Sequence, residues 1–185
     1  MRFLRKPAGD PLAISMCGLK LGNRLLVIGA SDPALVAGLA SKVGLTGRAC
    51  MLDESPQRTA AAAAQVEKEG ALIETFTSSL RALPFDGELF DVVVLRNVLP
   101  ALDAPQRSAV GREVERVVRP GGRCIAIDDL PRKGVLGVLG GGSSATSPGA
   151  IAATVIGASG FRGVRNLAER EGIVFVEGVK AAQGS

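Results

Sequence analysis

Leu25-Leu26-Val27-Ile28-Gly29-Ala30-Ser31-Asp32-Pro33 decides the fold. A continuous apolar run that ends in glycine is the pattern of a strand buried on both faces. Asp32-Pro33 then opens a helix, with aspartate as the cap and proline at the first helical position. Leu35, Val36, Leu39 and Val43 follow on one helical face, and Gly44 and Gly47 close the segment.

The alternation continues outward from this unit. A second strand, Ala49 to Asp53, leads through Ser55-Pro56 into a helix that runs to Glu69 and ends at Gly70. Ala71 to Phe76 reads as a third strand, Ser78 to Glu88 as a loop, and Phe90 to Leu95 as a strong fourth strand. Ala104 to Val118 is amphipathic, with Val110, Val114, Val117 and Val118 inward; Pro120-Gly121-Gly122 breaks it before a fifth strand, Arg123 to Asp128. Pro148 to Ala158 reads as a helix. Phe161 to Ala168 and Ile173 to Val179 read as a hairpin around Glu169-Arg170-Glu171-Gly172. The fold class this predicts is α/β: a doubly wound, Rossmann-like sheet of seven strands, mostly parallel, with an antiparallel strand in the C-terminal hairpin. Ligands of such sheets sit at the carboxyl ends of the strands, where the strand order reverses. The Gly29–Pro33 turn, Asp53 and the loop after Phe76 should converge there.

With 185 residues, 46% apolar and 22% charged, the chain has the size and composition of one domain, residues 1–185, with a sizeable core. Residues 1–20 read as an N-terminal extension and 130–147 as a flexible Gly/Ser-rich loop. There is no His, Tyr or Trp, which removes Ser-His-Asp and Cys-His nucleophile systems and His-ligated metals. Cys17, Cys50 and Cys124 have no zinc or CxxC spacing, and no metal site is expected. Cys50 and Cys124 lie in apolar runs and read as buried, inert thiols. No signal-peptide pattern is present, and a cytoplasmic protein is expected. The net charge is +4, with Arg2, Arg5, Lys6, Lys20 and Arg24 against Asp10 near the start; without aromatic interleaving this reads as a solvated basic edge, and nucleic acid is not expected as a partner.

Three blocks carry a family resemblance. Ala82-Leu83-Pro84-Phe85-Asp86-Gly87-Glu88-Leu89-Phe90-Asp91-Val92-Val93-Val94 resembles the "ALPF…D…FDVV" segment of class I S-adenosylmethionine-dependent methyltransferases. Arg112-Glu113-Val114-Glu115-Arg116-Val117-Val118-Arg119-Pro120-Gly121-Gly122-Arg123 is similar to their "REVxRVLKPGGR" block. Gly44-Leu45-Thr46-Gly47-Arg48 with Met51-Leu52-Asp53-Glu54-Ser55-Pro56 is similar to their second-strand motif. The likeness runs from about Leu21 to Val179 and is nearest in pattern to the type 11 small-molecule enzymes, including those methylating quinone precursors and arsenic.

The resemblance implies S-adenosylmethionine as cofactor and few catalytic side chains, because the sulfonium carries the chemistry and the protein positions the acceptor. It implies a cofactor site of Gly29, Ala30, Ser31, Asp53, Glu54, Ser79, Leu80, Arg96 and Asn97, with Asp53 accepting from the ribose hydroxyls; no catalytic base is singled out. Asp53 reads equally well as a cap for the following helix. The first motif is degenerate. Of the family's acid-x-Gly-x-Gly-x-Gly only Gly29 stands; Val27 takes the acid's place, and Ser31 and Pro33 take those of the later glycines. Ser79 stands where an aspartate often accepts from the adenine amino group. Losing two charged acceptors, at roughly 1.5–3 kcal/mol each, lowers affinity by about two to four orders of magnitude.

Two readings stay open at this point: a methyltransferase for a small molecule with an atypical cofactor site, and a catalytically inactive binding or scaffold subunit of the same fold. The expected partners are a small-molecule substrate or a protein. Peripheral membrane contact through 132–140 and homo-oligomerisation are further expectations.

Overall fold

The computed structural model describes residues 9–131 and 147–182. Arg2, Arg5, Lys6, the 132–140 segment and most of the 130–147 loop lie outside the described residues.

Seven strands form one sheet: β1 (Arg24–Ile28), β2 (Arg48–Asp53), β3 (Glu74–Thr77), β4 (Phe90–Arg96), β5 (Val118–Asp129), β6 (Arg162–Arg170) and β7 (Ile173–Val179). Their order is β3-β2-β1-β4-β5-β7-β6. β7 runs antiparallel to both neighbours, and every other pairing is parallel. Helices α1 (Pro11–Met16), α2 (Pro33–Val43) and α3 (Pro56–Lys68) cover one face; α4 (Ala104–Val117) and α5 (Pro148–Ala158) cover the other.

Strand alternation builds both cores. Leu25, Val27, Met51, Val92, Val94 and Ile125 pack toward α1–α3, while Leu26, Ile28, Leu52, Val93 and Leu95 pack toward α4 and α5. β1 and β4 therefore need apolar residues at nearly every position, which is why they read as unbroken runs. The helix starts follow from local chemistry. Asp32, Ser55, Asp103 and Ser147 each accept a backbone N–H of the first turn, and each is followed within two residues by proline.

Four boundaries differ from the sequence expectation. α1 lies within the expected extension, and its Ala13 and Ile14, with Cys17, are buried against α2 and the sheet. β3 begins at Glu74, not Ala71, where pairing with Cys50 of β2 starts. Pro120-Gly121-Gly122 does not end the helix ahead of a new strand; it forms a bulge inside β5. There the partner register moves from Phe90↔Val118 to Val92↔Arg123, and Lys180 exchanges backbone hydrogen bonds with Gly121 and Gly122 at 2.9 Å. β6 extends to Arg170, so that Glu171-Gly172 alone, both at positive φ, makes the hairpin turn.

No helix among the described residues is long and apolar enough to cross a membrane.

Candidate functional site

The chain leaves β1 for β2 and β3 on one side, then returns to β4 on the other, so the strand order reverses between β1 and β4. A crevice opens at their carboxyl ends. Gly29 closes β1 there with φ 93°, and a Cβ on it would collide with the Arg96 carbonyl oxygen. Only glycine lets the ends of β1 and β4 approach this closely. Asp32 turns its Oδ1 to the Leu35 N–H at 3.0 Å, so the α2 N-terminus is satisfied by its own carboxylate.

Asp53 ends β2 and is 3% exposed. Its Oδ2 accepts from the Ala30 N–H at 2.8 Å and its Oδ1 from the Ser55 N–H at 2.7 Å. The Arg58 guanidinium donates through Nε to both oxygens at 3.0 Å and through Nη2 to Oδ1 at 2.7 Å. Burial opposes ionisation of Asp53, but these donors, Arg58 foremost, outweigh it and hold the carboxyl below the usual aspartate range. The carboxylate is thus fixed by both neighbouring turns and ionised at neutral pH. Glu54, next along, accepts from the Leu80 N–H at 3.2 Å and ties the loop after β3 to the end of β2.

On the other side, Arg96 ends β4. Its Nη2 donates to Asp129 Oδ1 at 2.7 Å and its Nη1 to the Ile127 carbonyl at 3.3 Å. Arg96 Nε lies 3.7 Å from Asp32 Oδ2 and, although buried, has no hydrogen-bond partner. Asn97, at φ 55°, clamps the end of β5: its Oδ1 accepts from the Asp129 N–H and its Nδ2 donates to Asp129 Oδ2, both at 2.8 Å. Burial of Asp129 disfavours its charge, yet Arg96 and Asn97 hold it below the ordinary range. Its neighbour Asp128 is the opposite case, 1% exposed with neither carboxylate oxygen hydrogen-bonded.

Gly29, Ser31, Asp53, Glu54, Leu80, Arg96 and Asn97 line one cleft of about 240 Å³. Ala30 contributes from beneath through its backbone N–H, its side chain being buried. Ser79 is not brought to the cleft wall; its hydroxyl accepts from the Arg81 N–H at 3.2 Å. Sequence reasoning missed Arg58, Val98, Ala101 and Leu102, which complete the lining. Arg58 stands five positions after Asp53, in the first turn of α3; with Asp53 on a strand, the pair falls outside the i,i+3 and i,i+4 spacings of a helix, and no sequence signal marked it. A larger groove of about 360 Å³ lies between α4 and α5, lined by Arg107, Arg112, Ile151 and Val155 among others; it has no carboxylate. The thiols are buried and free, and burial pushes Cys17 up to about 12 and Cys50 up to about 11, so neither is a nucleophile at neutral pH.

The donor set fits a ligand with a vicinal diol and an anionic or carbonyl end. A fixed, ionised carboxylate at β2 is the ordered anion of the cleft, and the Arg96 guanidinium at β4 is a cation in the wall beside it.

A family model described as a methyltransferase domain matches residues 26–122. A chloroplastic 2-phytyl-1,4-beta-naphthoquinone methyltransferase of Arabidopsis thaliana is 33% identical over 125 residues, covering 63% of this chain and 46% of that protein. A ubiquinone/menaquinone biosynthesis C-methyltransferase of Chromobacterium violaceum is 25% identical over 119 residues, covering 62% of this chain and 46% of that protein. This chain spans less than half the length of these curated relatives. The crystal structure of a SAM dependent methyltransferase from Aquifex aeolicus shares the fold, with TM-score 0.74 at 19% identity over 94% of this chain and 90% of that one.

Proposed function

The chain belongs to the class I S-adenosylmethionine-dependent methyltransferase family, and on that premise we propose that it transfers a methyl group from S-adenosylmethionine to a small apolar acceptor at the β1–β4 crevice. One observation carries the reading: seven residues that the family pattern marks for the cofactor, from four separated stretches of sequence, line a single cleft at the switch point of the sheet. When bound, the sulfonium supplies an activated methyl group, so the protein's part is placement and exclusion of water. Asp53, ionised and oriented by Ala30 and Ser55, is the acceptor for the ribose hydroxyls. The Arg96 guanidinium, in the cleft wall, is the cation for the amino-acid end of the donor, and Asn97 holds the β4 and β5 ends together around it. Val98, Ala101 and Leu102 give the cleft an apolar side for the acceptor. That lining, with the quinones in the names of two relatives, supports a quinone-type ring as acceptor.

A second reading, a non-catalytic binding or scaffold subunit, is favoured by Val27, a wholly buried apolar residue at the family's first acid. Calorimetric titration with S-adenosylmethionine and S-adenosylhomocysteine up to millimolar concentration separates the two. The enzyme reading expects saturable binding that weakens at least tenfold in Asp53→Ala, the loss of one charged hydrogen-bonding partner being worth about 1.5–3 kcal/mol. Absence of heat in the wild type favours the scaffold.

A further inference from the structure

Asp53 has no acceptor capacity to spare. A carboxylate offers about four lone-pair sites. The Ala30 and Ser55 N–H groups take one on each oxygen, and Arg58 takes the rest with its Nε across both and Nη2 on Oδ1. The two backbone donors belong to the turns after β1 and β2 and cannot leave without unmaking them. Arg58 can leave: its side chain is 54% exposed and hangs from the first turn of α3. It also lines the cleft, whose volume of about 240 Å³ lies below the roughly 300–1,000 Å³ of ordinary small-molecule sites.

We propose that Arg58 gates the nucleoside end of the cleft: its guanidinium occupies the Asp53 sites that a ribose cis-diol would take, and a diol-bearing ligand must displace it. The inference rests on the donor site proposed above and assigns Arg58 the role of setting its affinity. Displacement does not strand the cation. Glu54 lines the same cleft and already stabilises the charged form of Arg58, so the guanidinium exchanges one acid for another while the pocket enlarges. Ligand affinity in the wild type is accordingly the intrinsic affinity reduced by the closed fraction.

Titration of the full chain with S-adenosylhomocysteine tests this in wild type, Arg58→Ala and Arg58→Lys. R58A is expected to bind about fivefold tighter, the fold-change that a half-exposed ion pair is worth. R58K keeps the charge but cannot bridge both oxygens and should fall between. Salt separates gating from a structural role: between about 50 mM and 500 mM salt the wild-type affinity should rise relative to that of R58A as the Asp53–Arg58 pair is screened, any Arg96 contact to the ligand being screened alike in both. The R58K arm stands even where R58A does not fold. A folded variant that binds no tighter than wild type, or a wild-type affinity that does not rise with salt relative to that of R58A, overturns the gate and leaves the donor site standing. No binding by any of the three up to millimolar concentration overturns the donor site, and the gate with it.

Discussion

Asp128 shows how one buried side chain sets a pH response. Burial, opposed by the charge of Arg96, pushes its carboxyl up to about 7, against about 3.9 for an unfolded aspartate. Between those values the folded chain keeps a proton that the unfolded chain has lost. The stability this brings is complete below about pH 4 and is lost as pH rises through about 7. Asp128→Asn removes the titration. Relative to wild type, D128N should gain about 1–3 kcal/mol of stability at pH 8 and much less at pH 5, read from urea unfolding at the two pH values. A difference that does not change with pH would contradict the account of this residue. Asp53 is also buried, but the Ala30 and Ser55 N–H groups and the Arg58 guanidinium donate to it and hold its carboxyl below the usual range, whereas Asp128, with no hydrogen bond to either oxygen, is pushed up.

At the scale of elements, the turn from β1 into α2 is the tightest constraint on the crevice. Gly29→Ala meets both a positive φ and the Arg96 carbonyl, and should cost at least about 2 kcal/mol in urea unfolding with little change in m. Gly172→Ala, also at positive φ but with open space around it, should cost less; equal losses would show that the β1–β4 approach is not what requires glycine. Much of this was legible in advance. β1, β2 and β4 announce themselves because strands buried on two faces must be apolar throughout, and α2 and α3 because cap and proline stand together. α1 carries the same Asp-Pro signal at Asp10-Pro11, but six residues are too short to show a periodic face. The β5 bulge was hidden because Pro-Gly-Gly breaks helices and also bends strands, and only the Lys180 backbone partner, sixty residues away, selects the second outcome. Arg58 was missed for a similar reason: sequence spacing puts it near Asp53, whereas the free lone pairs that it fills exist only once β1 and β2 are side by side.

For the whole molecule, the sheet brings four distant stretches to one edge, and function follows from what meets there. Two clefts compete for that assignment. The groove between α4 and α5 is larger and carries two arginines; the crevice is smaller and carries the ordered carboxylate, the Arg96 guanidinium and the residues the family pattern marks. Our proposal takes the crevice, since a diol needs a fixed acceptor and volume alone supplies none. The most direct measurement is a crystal structure of the chain with S-adenosylhomocysteine. Ribose hydroxyls on Asp53, with Arg58 swung away and the ligand's carboxylate near Arg96, is the predicted result. Ligand seated between α4 and α5, or Asp53 still closed by Arg58 with the ligand elsewhere, would contradict it.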